Sequence, residues 1–103
     1  MDTGKLTAMQ QWYVYILRCA DSSFYTGVTT DPKRRLREHN ECNRLGARYT
    51  RARRPVTMIW CETQADRAAA LRREYAIKQM RRAAKQRLVA SGGIGLAVSA
   101  ESE

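Results

Sequence analysis

Apolar and polar positions alternate most clearly in the first third of the chain, where a polar turn separates two short apolar segments. Residues 12–19 and 24–29 combine aromatic and β-branched side chains, and Asp and Ser lie between them. This pattern predicts a β-hairpin. Because successive side chains of a strand point to opposite faces, Tyr15 and Tyr25 can lie close together if the register allows it. Alternation divides the first strand into Trp12, Val14 and Ile16 on one face and Tyr13, Tyr15 and Leu17 on the other.

Helical signals begin directly after the hairpin. Thr30 or Asp31 provides an N-cap and Pro32 suits the first helical position, which predicts a helix from about residue 32 to residue 40. Further along we predict a basic loop over 43–54, a strand over 56–61, a helix over 65–80 and a second helical stretch over 81–90. The order β-β-α-β-α-α indicates an α+β fold, a small three-stranded antiparallel sheet flanked by helices.

The length of the chain, 103 residues, suits a single domain. We place that domain at residues 12–90. Residues 1–11 are polar and irregular, and residues 91–103 are rich in glycine and small side chains. Both ends are therefore expected to be flexible tails.

The positive charge of the chain favours nucleic acid as its binding partner. Lys and Arg number 19 against 10 Asp and Glu, a formal net charge of +9. Residues 33–54 hold nine basic and only two acidic residues, which is typical of surfaces that contact phosphates. A solvated surface or a ribosome-associated basic protein is the alternative. The candidate nucleic-acid contacts are Arg34, Arg37, Arg44, Arg48, Arg51, Arg53 and Arg54.

Cysteine and histidine content argues against a disulfide framework and a zinc site. The chain has three Cys and one His, with no close pair of cysteines. We expect free thiols and a reduced, cytoplasmic protein. The start of the chain lacks the apolar segment of a signal peptide and no apolar run is long enough to cross a membrane, so no membrane association is expected.

Helical spacing singles out a second set of chemical groups. Arg35 and His39 lie one turn apart on the first predicted helix. Glu74 falls on the apolar stripe of a later helix, and because a bare carboxylate there is costly, it needs a cation, an Arg or a hydrogen-bond network. Each group alone also has an ordinary structural explanation: strand tyrosines pack, helix arginines are solvated, and Glu74 can pair with Arg73 or Lys78 at the surface.

Together these motifs resemble the GIY-YIG nuclease superfamily, and within it the small single-domain bacterial members. The likeness covers about residues 12–90. The first tripeptide has Tyr where the family has Gly, the second has Thr where Ile is usual, and no Asn follows Asn43 although many members have one near the end of the module. The matching segments are Tyr13-Val14-Tyr15, Tyr25-Thr26-Gly27, Arg34-Arg35-Leu36-Arg37-Glu38-His39-Asn40 and Ala70-Leu71-Arg72-Arg73-Glu74.

The resemblance implies hydrolysis of a phosphodiester bond with one divalent metal ion, Mg²⁺ or Mn²⁺. On the family pattern Glu74 would hold the metal, Tyr25 would be the candidate general base and Tyr15 would position or assist. Arg35 would stabilise charge on the phosphate, and His39 would orient a tyrosine or contact the phosphate. A hard cation and a guanidinium both stabilise the negative charge that develops on the phosphate during hydrolysis. Which tyrosine is the base stays open.

Three functional interpretations follow. The first is a metal-dependent endonuclease acting on DNA, in repair or in processing of branched, nicked or single-stranded forms. The others are a non-catalytic nucleic-acid binding module on the same fold and a basic structural or RNA-associated protein. The presence of Tyr15, Tyr25, Arg35 and Glu74 favours the enzyme. DNA is then the expected partner, with RNA not excluded and a protein partner for targeting left open.

Overall fold

The structure, a computed structural model, describes residues 10–92 and contains a three-stranded antiparallel sheet with helices packed against it. The strand order is β2-β1-β3, so β1 lies at the centre. The predicted α+β fold and antiparallel sheet are confirmed. The elements are β1 Trp12–Arg18, β2 Phe24–Thr29, α1 Pro32–Glu41, α2 Arg48–Arg51, β3 Thr57–Gln64, α3 Arg67–Lys78 and α4 Arg82–Ala90.

The two faces of the sheet carry the side chains that strand alternation assigned to them. Across the hairpin Tyr15 is opposite Gly27, and Leu17 is opposite Tyr25. One side, the α3 face, carries the apolar cluster Val14, Ile16, Trp60, Ala70 and Ile77. The other side, the α1 face, carries Tyr15, Leu17, Cys19, Val56, Met58 and Cys61, with Tyr13, Tyr25 and Leu36 packed against them.

Helices α1 and α3 begin at the side-chain caps that their sequences encode. The Asp31 carboxylate accepts a hydrogen bond from the backbone N–H of Arg34 at 3.1 Å, and Pro32 is the first residue of α1. Asp66 caps α3 in the same way, accepting from the N–H of Ala69 at 2.8 Å. Each cap satisfies an N–H group without a partner inside its helix and contributes about 1 kcal/mol.

The C-terminal end of α1 is hydrogen-bonded to the segment that leads into β3. The Asn40 side chain donates to the carbonyl of Val56 at 3.0 Å and accepts from its N–H at 2.7 Å. Arg54 donates to the carbonyls of His39 at 2.7 Å and Cys42 at 3.2 Å. These bonds satisfy carbonyl groups that the helix leaves open, and they fix the backbone around His39.

Two segments differ from the sequence prediction. Strand β3 continues past residue 61 to Gln64, because its pairing with β1 extends until Trp12 is opposite Gln64. The predicted basic loop contains α2, a single helical turn in which Thr50 is fully buried. A helix of four residues is too short to produce a recognisable hydrophobic period.

The predicted flexible tails, 1–11 and 91–103, lie almost entirely outside the described residues, so that part of the domain assignment stays a prediction. In the described part of the chain, no helix is long and apolar enough to cross a membrane. Cys19, Cys42 and Cys61 are free thiols, as expected.

Candidate active site

Gly27 determines where the side chain of Tyr15 lies. A Cβ atom on Gly27 would lie 2.6 Å from Cζ of Tyr15 and closer still to its hydroxyl oxygen. Any larger residue would displace the ring, so the glycine of the second tripeptide is needed for the tyrosine of the first. Tyr15 is only 1% exposed. Its hydroxyl therefore requires a hydrogen-bond partner inside the protein.

His39 is that partner, and it occupies the centre of a hydrogen-bonded chain. The Tyr15 hydroxyl lies 2.8 Å from Nε2 of His39, and Nδ1 of His39 lies 2.8 Å from Oγ1 of Thr50. The Thr50 hydroxyl donates its one proton to the carbonyl of Ala47 at 3.1 Å, so it accepts from Nδ1–H. Nε2 is then the unprotonated nitrogen, and the Tyr15 hydroxyl donates to it.

Burial keeps both ends of the Tyr15–His39 hydrogen bond uncharged. It lowers the pKa of His39 to about 4, and the charge of Arg35 acts in the same direction. Burial also raises the pKa of Tyr15 well above its usual range, although the neighbouring Arg35 guanidinium opposes this effect. At neutral pH the pair is therefore a neutral donor and a neutral acceptor. This geometry suits the predicted role of His39 in orienting a tyrosine.

Tyr25 lies beside this pair and is less buried. Its ring centroid lies 6.5 Å from that of Tyr15 and 5.2 Å from that of His39, in an edge-to-face arrangement with the imidazole. The predicted proximity of the two tyrosines is thus confirmed. Tyr49 stacks on Tyr25 with centroids 6.0 Å apart and ring planes 26° apart. Among the described residues, the Tyr25 hydroxyl has no hydrogen-bond partner, which leaves it available to a substrate.

Arg35 reaches the same cluster from α1. Its Nη1 donates to the carboxylate of Glu38 at 2.9 Å and to the carbonyl of Leu45 at 2.7 Å. These bonds fix the guanidinium and use one of its two terminal nitrogens, so other donors remain for a ligand. Its effect on the pKa of Tyr15 places the charge next to the buried phenol.

Glu74 lies on α3. Its side chain is 19% exposed and pairs with Nζ of Lys78 at 3.2 Å, one of the two partners that the sequence suggested. The other, Arg73, pairs with Glu62 at 2.8 Å instead. The Glu74 charge contributes to the raised pKa of Tyr15, so the carboxylate lies near the tyrosine cluster.

A metal ion at this site would have Glu74 as its protein ligand. Residues 10–92 hold no group of three or more His, Cys, Asp or Glu side chains that could bind a metal. Mg²⁺ is commonly held by one or two carboxylates, with water and substrate phosphate as the other ligands. The donor set therefore fits a catalytic ion that binds together with a phosphate substrate, and it does not fit a structural metal cage.

Comparison with known proteins identifies the family that this geometry represents. A family model described as the GIY-YIG catalytic domain matches residues 11–87. The chain belongs to the GIY-YIG family. The resemblance drawn from the motifs is thus confirmed, and the family indicates a nuclease.

Several relatives of this GIY-YIG domain carry the name UPF0213. A UPF0213 protein of Desulfotalea psychrophila is 54% identical over 78 residues, which cover 76% of this chain and 70% of that protein. The UPF0213 protein YhbQ of Escherichia coli is 40% identical over 84 residues, 82% of each chain. The solution NMR structure of a UPF0213 protein from Bacillus halodurans matches with a TM-score of 0.53 and 39% identity, over 85% of this chain and 92% of that one.

Three of the arginines predicted to contact nucleic acid donate hydrogen bonds to backbone carbonyls of the GIY-YIG domain: Arg51, Arg53 and Arg54. Arg54 makes three hydrogen bonds to His39 of α1 and to the two residues that follow the helix, Cys42 and Asn43; the third of these bonds reaches Oδ1 of Asn43 at 2.9 Å. Arg51 donates to the carbonyl of Asn43 at 2.8 Å. The bonds of Arg51 and Arg54 favour a structural role for both side chains and weaken the expectation that they bind phosphate.

Other basic residues face solvent. Arg34 is about half exposed and pairs with Glu38 at 3.3 Å, an arrangement that a phosphate can displace. Three further arginines are exposed and make no hydrogen bond or ion pair to another described residue: Arg37, Arg44 and Arg48. These four fit the predicted nucleic-acid contacts better than Arg51 and Arg54 do.

Sequence reasoning missed two residues of the site, Thr50 and Tyr49. Thr50 gave no signal, because a lone Thr in a basic segment does not indicate that its hydroxyl binds a distant His. Tyr49 could have been found, since an aromatic residue between arginines is a recognised pattern of nucleic-acid contact. Arg53 covers Tyr49, with its guanidinium carbon 3.8 Å from the ring centroid.

Proposed function

We propose that this protein is a metal-dependent endonuclease that hydrolyses phosphodiester bonds in DNA. The supporting observation is the hydrogen-bonded chain through Tyr15 and His39, which holds one phenol as a buried donor with Tyr25 beside it. The charges of Arg35 and Glu74 both act on the pKa of that buried phenol. A second phenol, a fixed guanidinium and a carboxylate that acts on the same buried tyrosine suit a charged phosphate ester. The exposed basic surface supports a nucleic acid as the substrate.

The proposed roles follow from what each group can do. Tyr25, in its deprotonated form, takes a proton from the attacking water as its oxygen bonds to phosphorus, and the bond from phosphorus to the leaving oxygen breaks. Arg35 donates hydrogen bonds to the phosphate oxygens on which charge accumulates. Glu74 would hold Mg²⁺ or Mn²⁺, which when bound supplies Lewis-acid stabilisation of the phosphate charge.

Tyr25 is preferred over Tyr15 as the base for two reasons. The Tyr15 hydroxyl is buried, and its proton is directed at Nε2 of His39. Burial also disfavours its phenolate form. Tyr25 is partly exposed and its hydroxyl has no hydrogen-bond partner in the described part of the chain. Tyr15 is accordingly assigned as a positioning residue.

The test is cleavage of labelled single-stranded, duplex, nicked and branched DNA in Mg²⁺ or Mn²⁺. We expect cleavage of at least one form, lowered about 100-fold or more by Glu74→Gln and by Tyr25→Phe. Glu41→Gln and Tyr75→Phe are matched controls, because both residues are exposed and lie outside the cluster. Both controls should cleave like the wild type.

Either of two results would overturn the proposal. One is binding of DNA without cleavage in either metal ion. The other is cleavage that Glu74→Gln leaves unchanged while the variant remains folded. The first result would favour a non-catalytic nucleic-acid binding module on the GIY-YIG fold.

A further inference from the structure

Three side chains form a continuous stack that leads from the candidate active site to the surface. The ring centroids of Tyr49 and Tyr25 lie 6.0 Å apart, and the guanidinium carbon of Arg53 lies 3.8 Å from the centroid of the Tyr49 ring. Tyr49 is 38% exposed, and the Arg53 side chain is 35% exposed. The Arg53 guanidinium thus packs on the Tyr49 ring while about a third of the side chain stays exposed.

Arg53 is held in this position by two further contacts. Its Nε lies 3.2 Å from the carboxylate of Asp21, and its Nη1 donates to the carbonyl of Tyr49 at 2.9 Å. The Asp21 carboxylate is in turn fixed by the hydroxyl of Ser23 at 2.6 Å. A guanidinium fixed in this way is a preformed flat cation, so little side-chain entropy is lost when a planar ligand stacks on it.

The surface around the stack combines exposed apolar groups with unpaired cations. Leu45 is 47% exposed, and it lies in the same segment as Tyr49. Arg44 and Arg48 flank these residues and make no hydrogen bond or ion pair to another described residue. Aromatic and guanidinium faces interleaved with free basic side chains are the composition of surfaces that bind single-stranded nucleic acid.

We propose that the Tyr25–Tyr49–Arg53 stack binds an unpaired base of the DNA substrate, with the base on the exposed side of the Arg53 guanidinium. Arg44 and Arg48 then contact the neighbouring phosphates. Both faces of a base inside a duplex are covered by its neighbours, so only an unpaired or terminal base can stack in this way. This role of the stack rests on the proposed function and assigns its substrate class: DNA with a single-stranded segment next to the phosphate that is cut.

Binding without metal ions tests the proposal independently of cleavage. Fluorescence anisotropy in EDTA would compare a single-stranded oligonucleotide with the duplex of the same sequence, for the wild type and for Tyr49→Ala and Arg53→Lys. We expect each variant to bind the single strand roughly tenfold more weakly and the duplex less than twofold more weakly. Arg53→Lys keeps the charge and removes the flat surface. A 2-aminopurine base in the strand should lose fluorescence on the wild type and less on the variants.

The controls separate stacking from folding and from charge. Tyr75→Ala removes a tyrosine that is 67% exposed on α3 and should bind the single strand like the wild type. Tyr49→Phe keeps the stacking ring and should restore the single-strand binding that Tyr49→Ala loses. Equal weakening of single strand and duplex, or no weakening by Arg53→Lys, would overturn the proposal. Arg53 is a surface residue, so this result decides the matter even if Tyr49→Ala fails to fold. Failure of the nuclease proposal appears in the cleavage assay alone, because these measurements contain no metal.

Discussion

Alternate residues of β1 enter two environments that are equally buried and chemically opposite. Val14 and Ile16 are fully buried on the α3 face, where Trp60 and other apolar side chains surround them. Tyr15 is almost as deeply buried on the α1 face, but its hydroxyl depends on His39 for a hydrogen bond. The same strand therefore supports a conventional core on one side and a polar site on the other.

The difference teaches which changes each face can tolerate. An apolar core accepts hydrophobic replacements of similar volume, because its stabilisation depends on buried area and packing density. A buried hydrogen-bonded chain depends on every member, since removal of one leaves another donor or acceptor without a partner. Substitutions on the α3 face should thus change stability in proportion to volume, and those on the α1 face should change the chemistry of the site.

The largest expected effect comes from Arg35→Ala on the α1 face. Loss of a preorganised donor to the phosphate should lower the rate of cleavage about 100- to 1,000-fold. Arg37→Ala is the matched control, because Arg37 lies on the same helix, is exposed and has the same charge. Single-turnover cleavage assays on both variants measure the difference.

Equal losses for Arg35→Ala and Arg37→Ala would indicate a general charge effect on DNA binding rather than a role at the phosphate. Thermal unfolding of both variants is needed beside the kinetics, because Arg35 also bonds to Glu38 and to the carbonyl of Leu45.

On the α3 face the corresponding experiment is Ile16→Ala. The free energy of unfolding should fall by about 2–5 kcal/mol, because a fully buried side chain is replaced by a cavity. Ile16→Val should lower it by about 0.5–1.5 kcal/mol. Urea denaturation measures both. Cleavage per folded molecule should fall much less than in Arg35→Ala, because Ile16 affects the site only through α3, which packs on this core and carries Glu74. A loss as large as that of Arg35→Ala in folded Ile16→Ala protein would contradict the separation of the two faces.

The sequence predicted the α3 face better than the α1 face, and the reason is physical. A period of two residues in β1 is sufficient to place Val14 and Ile16 in a core, since burial acts on each side chain separately. The site depends on hydrogen bonds between specific atoms of distant residues. Strand alternation and helical spacing singled out Tyr15 and His39 and the family resemblance supplied their roles, but Thr50 lies in a short helix that no periodicity marks. Likewise, Arg54 was counted as a phosphate contact, because composition does not distinguish a free arginine from one that binds helix carbonyls.

Acid should weaken the α1 face selectively through His39. Its pKa is about 4 in the folded protein and 6.5 in an ordinary environment, with burial as the main cause. Between these values the unfolded chain binds a proton that the folded protein does not, so the free energy of unfolding falls as the pH falls. The contribution is fully present above about pH 6.5 and amounts to about 3 kcal/mol at most.

His39→Gln isolates this effect, because Gln does not titrate. Urea denaturation at pH 7 and at pH 4.5 should give a steeper loss of stability for the wild type than for His39→Gln. Parallel losses would indicate that carboxylates, rather than the imidazole, dominate the acid response.

The smallest expected effect, and the most specific, concerns Thr50. Thr50→Val keeps the shape of the side chain but removes the acceptor for Nδ1–H of His39, which should lower the free energy of unfolding by about 1–3 kcal/mol. With Nδ1 no longer favoured as the protonated nitrogen, a proton on Nε2 would deprive the Tyr15 hydroxyl of its acceptor. Cleavage should fall roughly tenfold, the loss expected for one mispositioned neutral hydrogen bond.

Thr50→Ser keeps the hydroxyl and should restore both the stability and the cleavage rate of the wild type. The imidazole ¹⁵N chemical shifts report the tautomer directly: the wild type and Thr50→Ser should carry the proton on Nδ1, and Thr50→Val should shift towards Nε2. An unchanged tautomer in Thr50→Val would mean that Tyr15, and not Thr50, determines which nitrogen of the His39 imidazole carries the proton.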